Sequence, residues 1–116
     1  MNTKGYSQKQ LKGFYTIMYR MRRFEEEVFE FYKKGMMPGL AHLYMGEEAV
    51  AAGVCAALKE ADFIGSTHRG HGHLVARGAD INRMMAEILG KKDGYSNGKG
   101  GSMHIMAMDK GILGAN

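Results

Sequence analysis

Residues 62–73 read D-F-I-G-S-T-H-R-G-H-G-H, and their order sets the fold class. Asp62 to Thr67 have the length of a short strand, and the segment turns at once into histidine, arginine and glycine. In α/β folds such a strand-to-turn junction is a common place for a ligand site. The rest of the chain reads as helix and loop around that junction. The expected class is therefore α/β, mostly helical, with a short parallel strand and long glycine-rich loops.

Upstream, Ser7 heads an S-x-x-Q capping box with Gln10. Leu11, Phe14, Tyr15, Met18, Met21, Phe24, Val28, Phe31 and Tyr32 then recur at steps of three and four and define one helical face. Arg20, Arg22, Arg23, Glu25, Glu26, Glu27 and Glu30 fill the other side, and Gly35 stands where a left-handed stop is expected. The spacing predicts an amphipathic helix of about seven turns, with its aromatic stripe used as core.

The next stretch, G-M-M-P-G-L-A-H-L-Y-M-G-E-E from Gly35 to Glu48, holds the only proline and reads as an irregular loop. The alanine-rich run from Glu47 predicts a short helix buried nearly all round, with Cys55 a small core residue. Downstream of the strand, Asp80 caps a helix through Ile81, Met84, Met85, Ile88 and Leu89 that stops at Gly90. The following segment, with glycines at 94, 98, 100 and 101, is a long loop of the kind usually kept for function.

Composition bounds these readings. At 116 residues, 45% of them hydrophobic and 24% charged, the chain has room for one core and is too apolar to be disordered throughout. One cysteine excludes an internal disulfide and a multi-thiolate metal site. No window reaches the roughly 18 apolar residues of a membrane span, and the first ten residues lack a secretory apolar run, so a cytoplasmic address and no membrane contact are expected. The net charge of +4 suits an anionic partner, although surfaces that bind nothing often carry as much.

The chemistry-bearing residues cluster in the second half. H-x-x-H-x-H at His68, His71 and His73 has no nearby carboxylate or thiolate to complete a common zinc set, so no metal site is assigned. Phosphate fits better: Arg69 offers a fork of donors, His68 and His71 add ring N–H groups, and Gly70 and Gly72 let backbone amides approach an anion. The alternative stays open that Arg69 is merely solvated and the histidines are satisfied by local carbonyls. Nucleic acid is not expected, because the lysines after Gly90 are scattered and no aromatic platform accompanies them. His42, in a glycine-flanked loop before Glu47 and Glu48, is a candidate general acid or base.

Three strings carry a resemblance: H-L-Y-x-G-E-E-A at 42–49, S-T-H-R-G-H-G-H at 66–73 and G-K-G-G-S-M-H at 98–104. In order and spacing they resemble the α subunit of thiamine-diphosphate-dependent 2-oxo acid dehydrogenases over nearly the whole chain. His68 stands where pyruvate dehydrogenases more often have tyrosine, which makes the chain look more like acetoin dehydrogenase, with pyruvate dehydrogenase the alternative. The resemblance implies that His68 and Arg69 bind the cofactor diphosphate, that His42 lies near the reacting carbonyl, and that His71 lines the active-site entrance. Glu47 replaces the family's usual glutamine. The magnesium-binding G-D-G string and its later asparagine are not in the sequence. The resemblance therefore implies the N-terminal part of one thiamine-diphosphate-binding domain, with 1–35 a helical lead-in and 36–116 part of the cofactor site. It further implies cleavage of acetoin or a 2-oxo acid and transfer of the acyl group to a lipoyl carrier. The implied partners are a β subunit in a heterotetramer, a lipoyl-bearing acyltransferase core and a small-molecule substrate. By itself the chain is expected to be inactive. The competing expectation of another class is a non-catalytic anion-binding or interaction module.

Overall fold

A computed structural model describes residues 5–115. Helix α1 spans Gln8–Lys33 and begins with the expected capping box: the Ser7 hydroxyl accepts from the Gln10 N–H at 3.2 Å, and the Gln10 side chain accepts from the Ser7 N–H at 2.8 Å. Gly35 closes the helix region with φ +68°. At about 1.5 Å per residue the 26 residues of α1 make it the longest element described. Only its middle is buried, through Met21, Phe24, Glu25 and Val28. Two expectations change here. Tyr15 and Tyr32, assigned to the core stripe, are exposed, while Glu25, assigned to the solvent side, is 1% exposed.

Helix α2, Glu48–Ala56, follows the irregular loop and packs on α1. Glu48 ties its start in place: the carboxylate accepts from Arg22 Nε at 2.7 Å and from the Gly46 N–H at 3.1 Å. Burial alone pushes the Glu48 carboxyl up, but the Arg22 and backbone donors bring it below the ordinary carboxylate range. The expectation of burial all round fails. Ala51 and Ala52 face the core, whereas Val50 and Val54 are each 57% exposed. In this chain α1 and a third helix cover only one side of α2.

Strand β1, Ile64–Ser66, pairs in parallel with β2, Ile112–Ala115, in the register Ile64 to Ile112, with a shift before Ser66 meets Ala115. Parallel pairing needs a long crossover. Here it is built from α3 (His71–Ala76), α4 (Ile81–Ile88), a long loop and a 3-10 turn at Met108–Lys110. Helix α3 forms where the glycines at 70 and 72 lead the sequence to predict only a turn. Helix α4 is the expected one, capped by the Asp80 carboxylate on the Asn82 N–H at 2.8 Å and ended at Gly90. Gly111 joins the crossover to β2 at φ +71°, where a Cβ would stand 2.5 Å from the Asp62 carbonyl. The core runs between these layers through Met21, Val28, Leu74, Met84, Ile88 and Ile112. Among the described residues no helix is long and apolar enough to cross a membrane.

Two buried groups hold the irregular parts. Glu87, fully buried on α4, accepts N–H bonds from Ser96 at 2.7 Å, Gly98 at 2.8 Å and Gly100 at 2.6 Å, so the glycine-rich loop is wrapped around a carboxylate. Arg77 donates to the carbonyls of Lys59, Glu60, Asp62 and Lys110 at 2.9–3.3 Å, joining the turn after α2 to the entry of β2.

Candidate functional site

The turn between β1 and α3 carries the cationic residues. Thr67 shapes it, its hydroxyl accepting from the Arg69 N–H at 3.2 Å. Arg69 then reaches across to the irregular loop, where Nη1 donates to the Leu43 carbonyl at 2.5 Å. That bond uses one donor of the guanidinium and leaves the rest of its fork for an anion. It also places the neighbouring residues together: the His42 and His68 rings meet edge to face, centroids 5.3 Å apart at 87°. His68 is exposed and His42 half-buried. His42 Nδ1 is buried and has no hydrogen-bond partner among the described residues.

His71 lies elsewhere. It is 0% exposed, and both ring nitrogens are engaged: Nδ1 with Glu25 Oε1 at 2.7 Å, and Nε2 with the Ser102 carbonyl and hydroxyl, each at 3.0 Å. The Ser102 hydroxyl in turn accepts from the His42 N–H at 3.3 Å. The sequence motifs thus converge, but the His42 loop meets His68 and Arg69 at the open turn after β1 while His71 is buried in the core.

His73 belongs to a separate contact, with Nδ1 at 2.7 Å from Ser66 Oγ and Nε2 at 3.2 Å from the Tyr44 hydroxyl. Burial pushes the His73 imidazole below its ordinary value, so it favours the neutral form. Gly72 makes this packing possible, because a Cβ there would overlap the Tyr44 ring. His104 is exposed beside Lys99 and Met106 in a cleft of about 280 Å³. Two larger apolar grooves, about 530 and 450 Å³, lie along α1 against α4 and α2 and include none of His42, His68 or Arg69. Among the described residues no three His, Cys, Asp or Glu side chains converge as a metal set would require.

Sequence reasoning missed Glu25, Ser102, Tyr44 and His73. A signal existed for Glu25, which stands four residues after Met21 and three before Val28, inside the apolar stripe. Ser102 lies in the G-K-G-G-S-M-H string, and nothing in the sequence pairs it with His71.

Comparison with known proteins adds a family. The model described as "Dehydrogenase E1 component" matches residues 16–116. The α subunit of acetoin:2,6-dichlorophenolindophenol oxidoreductase from Bacillus subtilis is 59% identical over 102 residues, covering 88% of this chain and 31% of that one. The protein of the same name from Cupriavidus necator is 52% identical over 102 residues, with the same coverage of 88% and 31%. The pyruvate dehydrogenase E1 component α subunit of Rhizobium meliloti is 43% identical over 102 residues, or 88% of this chain and 29% of its own. The chain thus spans 29–31% of the length of these relatives.

Proposed function

The chain belongs to the dehydrogenase E1 component family, and from that premise we propose that it supplies the diphosphate-binding part of a thiamine-diphosphate site in an E1 α subunit. The reaction proposed for the whole protein is cleavage of acetoin or a 2-oxo acid with transfer of the acyl group to a lipoyl carrier. The higher identity to the two acetoin-type relatives than to the Rhizobium meliloti α subunit favours acetoin. The observation that carries the reading is the meeting of His42, His68 and Arg69 at one turn, from segments 26 residues apart along the chain.

The donor set fits the cofactor's diphosphate. Arg69 binds a phosphoryl oxygen through the donors its Leu43 contact leaves free, and His68 adds a ring N–H from the exposed side. The chemistry such a cofactor supplies is carbanion stabilisation beside the carbon–carbon bond that breaks. His42 stands next to this turn with its ring half-buried against His68, a candidate to hydrogen-bond or protonate an oxygen on the substrate. His71 serves the site from behind rather than at its mouth.

Magnesium, which the family resemblance couples to the cofactor, would be held by residues other than these, since no G-D-G string is present. A β subunit and a lipoyl-bearing acyltransferase core are the proposed partners. Residues 36–116 are proposed as the cofactor-site part of one domain and 1–35 as its lead-in. The bacterial relatives support a cytoplasmic place of action.

Calorimetry with thiamine diphosphate and Mg2+ tests the reading, on the chain joined to the remaining length of an α subunit and mixed with a β subunit. Binding that is lost in Arg69→Ala is the expected result. Binding indifferent to Arg69→Ala would favour a non-catalytic anion-binding or interaction module.

A further inference from the structure

We propose that Glu25, His71 and Ser102 form a positioning relay that fixes the His42 main chain and so holds the His42 ring against His68. The inference rests on the reading of His42 as the residue next to the reacting oxygen.

Four segments meet here: Glu25 from α1, His71 from the start of α3, Ser102 from the loop around Glu87, and His42 from the loop before α2. The contacts run in series, 2.7 Å from Glu25 to His71, 3.0 Å from His71 Nε2 to the Ser102 carbonyl, and 3.3 Å from the His42 N–H to the Ser102 hydroxyl. Glu25, His71 and Ser102 are all buried, so water cannot replace a lost partner.

The hydrogen-bond inventory shows what His71 does. A carbonyl can only accept, so the Nε2 facing the Ser102 carbonyl carries a proton. Nδ1 then either donates to a Glu25 carboxylate or accepts from a Glu25 carboxyl group, and the pair is neutral overall in both forms. Leaving Nε2 bare would put a net negative charge in the core and set a lone pair against a carbonyl. No lone pair of His71 is therefore free to take a proton from substrate. Its ring orients Ser102, and the Ser102 hydroxyl is left to receive the His42 amide. The second Glu25 oxygen has no partner among the described residues, which leaves the Glu25 carboxyl with His71 alone.

The test is nuclear magnetic resonance on the chain itself, reading His42 amide exchange, His42–His68 ring cross-peaks and the His71 ring nitrogen shifts. Ser102→Ala keeps the carbonyl that His71 uses and removes only the hydroxyl. It is expected to speed His42 amide exchange about tenfold, as loss of one hydrogen bond would, and to weaken the ring cross-peaks while the His71 shifts stay put. Glu25→Gln, which still offers Nδ1 a partner, is expected to preserve the His42 readouts, and Glu25→Leu to lose them. Should Glu25→Leu not fold, Ser102→Ala decides. Unchanged His42 exchange and cross-peaks in Ser102→Ala would overturn the relay. If the His42 readouts move as expected while the assembled wild-type protein binds no thiamine diphosphate, the relay stands and the functional reading falls.

Discussion

Glu87 is fully buried, yet its carboxyl lies below the ordinary range: burial pushes it up, and the N–H groups of Gly98, Ser96 and Gly100 more than offset that. A carboxyl lowered in the folded state stabilises the fold above its unfolded value and loses that contribution as pH falls. Urea titrations should therefore show stability dropping as pH is taken below about 4.5, with a shallower drop in Glu87→Gln. At neutral pH the same substitution should cost about 2–4 kcal/mol, because it replaces charge-assisted bonds to buried amides. His73 gives a second window. Its imidazole is lowered by burial, so the unfolded chain takes up its proton first and stability falls as pH drops below about 6.5. His73→Gln should flatten the profile there, and a slope unchanged by that substitution would remove His73 as its cause. The two most deeply buried glutamates, Glu25 and Glu87, are legible in principle. Glu25 follows Met21 by four and Glu87 follows Met84 by three, so each charge stands at a stripe position. Their partners were not legible, since Glu87 bonds backbone amides and Glu25 bonds a residue 46 positions away.

At the scale of elements, the readings that held were local ones. The Ser7 and Asp80 caps, the left-handed ends at Gly35 and Gly90, and the strand before His68 each depend on residues within a few positions. Those that failed depend on what covers a surface. The alanine-rich run predicts burial all round, but one face of α2 has no neighbour among the described residues, and α3 is hidden in the sequence because its glycine reads as a breaker when Tyr44 is not in view. That glycine provides the element's test. A methyl group at Gly72 must displace the Tyr44 ring, and with it the loop that holds His42. Gly72→Ala should destabilise the chain by about 1–3 kcal/mol, the usual range for overpacking, measured by denaturant unfolding. Arg77 makes a similar claim for the β2 entry. Four carbonyls from two turns need a planar fork, so Arg77→Lys should cost about 1–3 kcal/mol although the charge is kept.

The whole molecule leaves several apolar surfaces open. Large apolar side chains remain in water on several faces, among them Tyr15 at 67%, Phe63 at 63% and Val54 at 57% exposure. Patches of that kind mark contact surfaces, and a two-stranded parallel sheet is normally covered on both faces. The cationic turn shares this openness: His68 is exposed, and the larger grooves lie along α1 instead of around His42. A half-buried Arg69 and an exposed His68 meet an anion beside bulk water, where their attraction is weakened, and in the proposed site His42 would have no wall to keep water from a reacting oxygen. The 116-residue chain alone should therefore show no reduction of dichlorophenolindophenol with acetoin or pyruvate in the presence of thiamine diphosphate and Mg2+. The same assay should give turnover once the rest of an α subunit and a β subunit close the site, and Arg69→Ala should abolish it. Steady turnover by the isolated chain would mean that His42, His68 and Arg69 suffice without enclosure, and the shared-site reading would fail.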